Sequence, residues 1–369
     1  MIKNNPTKFI PGLELNRMFY ADVVGPLMKE HFPHLKYSAA LNGHGSDVLG
    51  FDTPKSMDHN WGPHLNMFFR KKDFRKYAPL VNKMLRKNLP YTYKGFSTNF
   101  SKEDPEAYLK QRAEFITSGE VNHIFRFFTI QSFLRHYIYF DRDDKIEFKD
   151  WLIFPEQALI EITAGEIYYD GLNELEKMRN KFEYYPNDIW IYAMRVQWGK
   201  IVNELAFQAR SGEEEDELGS MVLAGHMVQT IMQMVFLMEK KYAPYRKWFG
   251  TAFSKLDSAK KFQPLLEKIV HSSSWKERQE LFARCYQMLG EVNNNLGITK
   301  PVSTEIKDFH GRGYPMVDPV PYIKELEKAI KNKKLKNMKY PLGLIDQFID
   351  HAKINQENYV YKELKVVME

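Results

Sequence analysis

Segments with the pattern of β-strands occur only in the first part of this 369-residue chain, and every later periodic segment is helical. Short apolar or alternating runs indicate strands, and they span residues 36–41, 60–69, 91–98, 121–130 and 166–169. This distribution predicts an α+β fold. A mixed β-sheet domain with flanking helices would occupy residues 1–170, and an all-α helical bundle would occupy residues 171–369.

The length and composition agree with two folded domains. A chain of 369 residues exceeds the usual size of one hydrophobic core. Its only cysteine, Cys285, excludes an internal disulfide, and nothing indicates an oxidising compartment. The first residues lack the apolar core of a signal peptide, and no run approaches the ~18 uncharged apolar residues of a membrane span. We therefore expect a cytoplasmic protein without a membrane partner.

The formal charge of +6 is mildly basic for this length. Such a charge fits a site that attracts phosphate-bearing ligands. Duplex nucleic acid is disfavoured as a partner, because its recognition needs a concentrated basic stripe. The densest basic run, residues 70–76, is typical of a solvated helix start.

Helical periodicity separates and follows the strand-like segments. Ser274 is predicted to cap one of these helices, with Glu277 at the capping-box position. Gly297 is predicted to end it. Apolar side chains at helical spacing predict helices over 13–28, around 80–85, over 106–117, over 151–160, over 188–210, through 221–237 and from 274 to 296.

The segment most informative about chemistry follows the first predicted strand. Gly45 and Ser46 would present backbone N–H groups and a hydroxyl, without a glycine side chain to block a phosphate. Eleven residues separate Ser46 from Asp58, which we expect at the entry to the second strand. Alternate strand residues point to one face, so Asp58 and Asn60 are predicted to project together. Oxygen ligands in this arrangement would hold Mg²⁺ in a nucleotidyl-transfer site.

This segment resembles the signature of the nucleotidyltransferase superfamily, a Gly-Ser pair followed after a spacer by Asp-x-Asp. More narrowly, the chain is similar to the uncharacterised bacterial domain of unknown function family 4037. The resemblance covers nearly the whole chain. The segments that carry it are 10–15, 45–52, 58–63, 184–190 and 241–253.

The resemblance implies a nucleotidyltransferase-like first domain and a helical second domain, as in aminoglycoside-modifying nucleotidyltransferases. It implies that Gly45 and Ser46 bind the phosphates of a nucleoside triphosphate, with ATP as the first expectation. Asp58 and Asn60 would be the catalytic pair and the Mg²⁺ ligands. The acceptor of the nucleotidyl group, a small molecule or a macromolecule, is not implied.

In the second half, the resemblance places a basic and aromatic segment at the cleft. Lys241, Tyr245 and Lys247 would bind the nucleotide, with a lysine on the phosphates and a ring stacked on a base or acceptor. The alternative is a buried structural turn anchored by Trp248. The residues themselves favour neither interpretation.

Two positions depart from the family pattern. Asn60 stands where the family has an aspartate, and an amide removes one negative charge from the metal site. At ~4 Å and an effective dielectric constant of ~20, one charge–charge interaction amounts to about 4 kcal/mol. Arg126 aligns with the third carboxylate of the superfamily, so the identity of that carboxylate stays open.

Neighbouring residues offer little compensation for the missing charges. Asp47 and Asp52 already belong to the family pattern, and they are equally well explained as turn and capping carboxylates. His44, His59 and His64 are close in sequence and could bind a softer metal. His59 should nevertheless point away from its two neighbours on a strand.

The favoured hypothesis is a Mg²⁺-dependent, adenylyltransferase-like enzyme that moves a nucleotidyl group from a nucleoside triphosphate to an acceptor, weakened by Asn60. The alternative is a catalytically inactive nucleotidyltransferase-like protein that binds a nucleotide or a partner. Asn60 and Arg126 favour this alternative, because arginine can neutralise phosphate in place of a metal. A helical scaffold with a vestigial cleft explains the Gly-Ser loop less well.

Overall fold

The computed structural model describes residues 8–104, 110–140 and 145–349. The chain divides into two units, one formed by residues up to 145 with 158–183, and one by 146–157 with the residues from 184 onward. The first unit is mixed α+β and the second is helical apart from one short ladder. The predicted α+β fold class is therefore confirmed. The domain boundary at residue 170 stays a prediction.

The α-helices are numbered in chain order. A π-helical turn, Tyr20–Val24, joins the first two helices. The helices of the described residues are α1 Gly12–Phe19, α2 Gly25–His31, α3 Lys71–Asn88, α4 Ile130–Ile138, α5 Phe148–Ile153, α6 Glu156–Thr163, α7 Leu175–Lys181, α8 Asn187–Glu204, α9 Phe207–Glu213, α10 Glu217–Met238, α11 Arg246–Phe253, α12 Ala259–His271, α13 Trp275–Asn295, α14 Val320–Ala329, α15 Lys333–Lys336 and α16 Ile345–Phe348.

A four-stranded mixed sheet organises the first unit. The strands of the part of the chain that the structure describes are β1 Tyr37–Leu41, β2 Asn66–Phe69, β3 Thr92–Tyr93, β4 Phe96–Ser97, β5 Arg126–Phe128, β6 Glu166–Asp170, β7 Lys307–Asp308 and β8 Pro315–Met316. The order in the sheet is β5-β2-β1-β6. Strand β1 pairs antiparallel with β2 and β6, whereas β2 and β5 are parallel. Every residue of β1 is buried, as expected for a central strand.

Helices α1 and α3 bury their apolar faces in the core of the first unit. Leu15 and Phe19 of α1 are fully buried, and so are Val81 and Leu85 of α3. They pack in one cluster with inward side chains of β1 and β2. Spacings of four residues place each pair on one helix face, which is why these helices form against the sheet.

Two predicted strands are wrong in their extent. The second strand begins at Asn66, not at residue 60, because Asn60 and Gly62 have φ angles of 50° and 143° that break an extended strand. Residues 91–98 form the hairpin β3–β4 instead of a single strand. Its turn consists of Lys94 and Gly95, with φ angles of 50° and 85°. Positive φ at both central residues is typical of two-residue hairpin turns.

The helix predicted over 106–117 is wrong for the part that can be described. Residues 105–109 lie outside the described residues, and 110–117 contain no helical residue and form a bridge from Ala113 to Phe100. The predicted strand 121–130 is confined to β5 and is followed by α4, which the sequence analysis missed. Thr129 caps α4, because its hydroxyl accepts a hydrogen bond from the Ser132 N–H.

Two predicted helices are divided. The segment 151–160 belongs to α5 and α6, which are separated at Phe154 and Pro155 because proline at that position ends a helix. The segment 188–210 is divided between α8 and α9, with a break after Glu204. The two-residue ladder β7–β8 is a further departure from the predicted all-α second half.

The second unit is built on the long helices α8, α10 and α13. Trp198 of α8 is fully buried and stacks on Tyr322 of α14, with ring centroids 4.5 Å apart. Ser274 caps α13 as predicted, accepting a hydrogen bond from the Glu277 N–H. The single thiol, Cys285, is buried in the middle of α13, and burial raises its pKa to about 12.

Helix α10 has the length and apolar composition of a membrane span. Its most apolar stretch is 56% buried inside the protein, as in the core helix of a soluble protein. This single helix is weak support for a membrane location. The predicted cytoplasmic location and the predicted absence of a membrane partner stay predictions.

A fully buried arginine joins α13 to α10 and to the end of α12. The Arg278 guanidinium donates to the Ser220 hydroxyl at 2.7 Å and to the Ser272 carbonyl at 2.8 Å. It also lies 2.7 Å from a carboxylate oxygen of Glu217. A buried cation is tolerated only with this degree of pairing.

Replacing Arg278 with alanine should lower the free energy of unfolding of the second unit by about 3–5 kcal/mol, because buried acceptors lose their donor. Tryptophan fluorescence in urea measures the unfolding of the second unit, since only Trp61 of the six tryptophans belongs to the first unit. Arg284→Ala, at an exposed position of the same helix, is the control and should change stability by less than about 0.5 kcal/mol. Equal effects of the two substitutions would contradict this role of Arg278.

Candidate functional site

The loop after β1, residues 42–46, is held in place by the surrounding elements of the first unit. Asn66 of β2 donates from its side-chain amide to the Asn42 carbonyl at 2.8 Å. The Gly43 N–H donates to the Glu161 carbonyl of α6 at 2.7 Å. These bonds fix the backbone at the point where the chain leaves the sheet.

Two glycines of this loop have no room for a side chain. Gly43 has φ 95°, and a Cβ there would overlap the Tyr137 hydroxyl of α4. Gly45 has φ 149°, and a Cβ there would overlap the Asp47 carboxylate. Glycine is therefore needed both for its backbone conformation and for close approach.

Arg126 is the first residue of β5 and lies in parallel register with Asn66. Its side chain is exposed. Its guanidinium opposes the raised pKa of His44, and it adds to the lowering of the pKa of His136 of α4 that burial causes. The sheet therefore brings Arg126 beside the loop after β1.

His44 is paired with Glu161. The two side chains are 2.8 Å apart, from Nδ1 to Oε1. This hydrogen bond is the largest cause of a raised pKa of His44, while burial and Arg126 act in the opposite direction and Asp47 adds to the rise. The imidazole side chain is 64% exposed, so solvent screening weakens the pairing.

Two side chains of α4 beside the loop, His136 and Tyr137, are neutral. Burial lowers the pKa of His136, and Arg126 lowers it further. Burial also raises the pKa of the Tyr137 hydroxyl to about 12. Arg126 thus brings a permanent positive charge to this end of the sheet, and His44 adds a second when protonated, while Glu161 and Asp47 are nearby carboxylates. The Arg126 charge would attract an anion that reaches it.

Asp58 and Asn60 lie beyond the loop after β1, and Asn60 contacts Gln111. Asp58 ends a short 3₁₀ helix, Pro54–Asp58, and its side chain is 67% exposed. His59 Nδ1 is 2.8 Å from an Asp58 carboxylate oxygen, and this contact is the main cause of a lowered pKa of Asp58. The Asn60 N–H donates to the Gln111 carbonyl at 2.7 Å, and its side-chain oxygen accepts from the Gln111 N–H at 2.8 Å.

The predicted common strand face of Asp58 and Asn60 is wrong, because neither residue belongs to β2. Within residues 8–104, 110–140 and 145–349, no group of three or more His, Cys, Asp or Glu side chains is arranged to hold a metal ion. Their roles as Mg²⁺ ligands and catalytic residues stay predictions. Gly45 and Ser46 lie in the loop after β1, and their binding of phosphate also stays a prediction.

The aspartates of the loop attach it to α1. Asp52 accepts hydrogen bonds from the Gly12 N–H and from the Trp61 indole, both at 2.8 Å. Asp47 is buried, which raises its pKa, and His64 Nε2 lies 3.7 Å from its carboxylate. Asp52 thus caps a helix. The nearby histidines each pair with a different carboxylate.

The basic and aromatic segment of the second unit is divided between the interior and the surface. Tyr242 is buried against the rings of Tyr184 and Tyr185. Tyr245 immediately precedes α11, and its N–H donates to the Gln157 side chain at 3.1 Å. Lys241 and Lys247 are exposed, and the Lys247 ammonium lies 4.9 Å from the centroid of the Trp248 ring.

A cavity of about 290 Å³ lies within the second unit, and Tyr245 lines it. The nucleotide-binding roles of Lys241, Tyr245 and Lys247 stay predictions. Sequence reasoning missed the cavity, because its walls come from segments far apart in the chain. Its polar side chains include Glu156, Lys200, Gln233 and Asp346.

The first unit is thus a mixed-sheet unit with a glycine loop at the end of its central strand, and the second is a helical unit with a polar cavity. The family described as domain of unknown function (DUF4037) matches residues 151–249. The chain is therefore similar to this family over those residues, which confirms that part of the resemblance. The match includes α8, α10 and the start of α11.

Among solved structures, the chain is similar to a nucleotidyltransferase-like protein from Exiguobacterium sibiricum 255-15. The two sequences are 12% identical, and the TM-score is 0.31. The alignment covers 96% of this chain and 87% of the other. No curated protein matches the chain.

Replacing Gly43 with alanine should destabilise the first unit by about 1–3 kcal/mol, through backbone strain and overlap with Tyr137. The double variant Gly43→Ala/Tyr137→Phe should recover part of this loss, since it removes the hydroxyl. Proteolysis of the first unit in increasing urea would measure the free energy of unfolding of both variants.

Gly119→Ala is the matched control for this experiment. Gly119 has φ 92°, and no atom lies within 4 Å of an added Cβ, so only the strain would remain. A loss as large at Gly119 as at Gly43 would show that close approach to Tyr137 adds nothing.

Proposed function

We propose that this protein binds a phosphate-bearing nucleotide at the loop after β1, and that Arg126 and His44 contribute positive charge there. This is the binding alternative among the functions inferred from the sequence. The observation that carries it is the exposed Arg126 beside a loop of fixed, side-chain-free glycines. An Mg²⁺ ion would not be required for binding.

The chemistry of arginine supports this proposal. A guanidinium offers a planar set of donors that matches two phosphate oxygens at once, and it stays charged at every physiological pH. Glycines allow a phosphate to approach backbone N–H groups closely. The raised pKa of His44 keeps a second cation there to a higher pH than an ordinary histidine would.

The side chains of Asp58 and Asn60 support binding more than transfer. The Asn60 side-chain oxygen accepts a hydrogen bond from the backbone of Gln111, so it already has a donor. The pKa of Asp58 is lowered mainly by the hydrogen bond with His59, with a smaller contribution from the charge of Lys110. Both neighbours compete with a metal ion for its carboxylate.

A second candidate function is Mg²⁺-dependent nucleotidyl transfer from ATP to an acceptor. One observation favours it: Asp58 is exposed and its pKa is lowered, so the carboxylate is ionised and reachable. Transfer would release pyrophosphate, whereas binding alone would not. The two functions are therefore separable by one assay.

We expect ATP to bind the full-length chain with similar affinity in EDTA and in Mg²⁺, measured by calorimetry. Arg126→Ala should weaken this binding about 10- to 100-fold, because a charge-assisted hydrogen bond to phosphate is lost. Arg75→Ala, which removes an exposed arginine of α3, is the matched control and should leave the affinity within about twofold.

Three results would contradict the binding proposal. These are no ATP binding under either condition, binding that needs Mg²⁺, and equal losses for the two arginine variants. Release of pyrophosphate with a panel of acceptors would support the transfer function instead. Asn60→Asp should then raise Mg²⁺ affinity if position 60 is a weakened ligand.

Binding should also depend on pH through His44. Glu161 raises its pKa, Asp47 adds to this, and Arg126 opposes it. His44 therefore stays protonated to a higher pH than an ordinary histidine, and ATP should bind more tightly below its pKa than above it. In Glu161→Gln the midpoint of the His44 NMR titration should move to lower pH, because the carboxylate partner is gone. An unchanged midpoint would exclude this pairing in solution.

A further inference from the structure

The cavity of the second unit combines acidic and basic side chains in a small volume. It measures about 290 Å³, and its lining includes Glu156, Asp346, Lys200 and Gln233. We propose that it binds an α-amino acid. The ammonium group would contact Glu156 and Asp346, and the carboxylate would contact Gln233 and Lys200.

The two acids repel each other inside the protein. The Glu156 N–H donates to an Asp346 carboxylate oxygen at 2.8 Å, so the second carboxyl lies at the first turn of α6. Burial and the Asp346 charge raise the pKa of Glu156, and burial raises the pKa of Asp346 to about 6. A ligand ammonium group beside them would offset this repulsion, in addition to the hydrogen bonds that Glu156 accepts from the Ala243 N–H and the Tyr185 hydroxyl.

A chain of buried amides determines which atom Gln233 offers to a ligand. The Gln347 Oε1 accepts from the Leu344 N–H at 2.8 Å, so its amide NH₂ faces the other way. This NH₂ donates to the Ala193 carbonyl at 2.9 Å and to the Gln197 Oε1 at 2.8 Å. A backbone N–H can only donate and a carbonyl can only accept, so both amide orientations are fixed.

The same logic continues from Gln197 to the cavity. Its NH₂ donates to the Thr230 carbonyl at 2.8 Å and to the Gln233 Oε1 at 3.2 Å. The Gln233 oxygen is thus engaged, and its NH₂ is the group left for the cavity. Gln233 is therefore a preoriented donor, which suits a carboxylate and not an ammonium group.

Lys200 supplies the charge that matches this donor. Its ammonium donates one hydrogen bond to the Gln347 carbonyl at 2.9 Å, and two further protons remain. Burial lowers the pKa of Lys200, and the charge of Glu204 on the same helix opposes this. A ligand carboxylate would therefore receive one charged and one neutral donor.

The size and the apolar walls of the cavity agree with a free amino acid. A volume of about 290 Å³ lies just below the range for drug-sized ligands, about 300–1,000 Å³. Phe249, Phe348 and Ile349 line the same space and would contact an apolar side chain. The site therefore suits a small zwitterion.

The test is a thermal-shift and calorimetry screen of the full chain against the twenty standard L-amino acids. At least one should raise the melting temperature and bind saturably. Its 2-hydroxy acid, which lacks the amine, and its carboxamide, which lacks the carboxylate, should each bind at least about tenfold more weakly. If none of the twenty binds, or if both analogues bind as well, the proposal is wrong.

Substitutions test each set of contacts. Gln233→Glu should keep the hydrogen bond from Gln197 but replace the amide donor by a carboxylate acceptor. Glu156→Gln should replace an acid by an amide of the same shape. Each should weaken binding at least about tenfold while the melting temperature of the free protein changes little. Lys200→Met, which removes the ammonium group, should also weaken amino-acid binding at least about tenfold with little change in the melting temperature of the free protein.

Exposed residues of the second unit give the matched controls. Glu280→Gln and Lys268→Met should leave the amino-acid affinity within about twofold. Arg126→Ala should also leave it unchanged, so failure of nucleotide binding does not affect this result. Unchanged affinity in Gln233→Glu and Glu156→Gln would overturn the proposed contacts.

Discussion

The connection between β1 and β2 contains little regular structure, so its backbone groups must find partners elsewhere. Three polar side chains provide hydrogen-bond partners for several of these backbone groups. Asn16 donates to the Gly62 carbonyl and accepts from the His64 N–H, Asp52 binds the start of α1, and Asn66 binds the carbonyl of Asn42. The loop at which we propose phosphate binding keeps its conformation because these side chains bond backbone groups that have no partner in a β-ladder.

The polar groups in the interior of the second unit have a similar role. Gln347, Gln197 and Gln233 form a directed series of hydrogen bonds, and Arg278 binds its partners in a fully buried position. Each such group would cost free energy if it were left without a partner. Fully paired, they restrict the helices to one arrangement and give the cavity wall a defined donor. Apolar packing alone would not specify the orientation of an amide.

Much of the architecture could be predicted from periodicity. The central strand at 37–41, the strand at 166–170, the long helices of the second half and the Ser274 cap follow from local patterns. The hairpin at Lys94 and Gly95 and the left-handed Asn60 could not, since alternation reports which face a residue occupies and not where the backbone turns.

The candidate sites were harder to predict because they depend on pairing over long distances in sequence. The parallel register of Asn66 with Arg126 places a cation beside the glycine loop, and no local signal carries that register. The amide series runs from residue 347 to residue 197 and on to 233. Only the resemblance of Gly45 and Ser46 to a known loop directed attention to the end of β1 where we propose that phosphate binds.

The buried Cys285 has a practical consequence. A thiol reacts through its thiolate, and burial both shields this sulfur and raises its pKa. Because it is the only cysteine of the chain, alkylation at this position requires the middle of α13 to separate from its neighbours. The rate of modification by a small electrophile would therefore report how often the helical unit opens, without any introduced label.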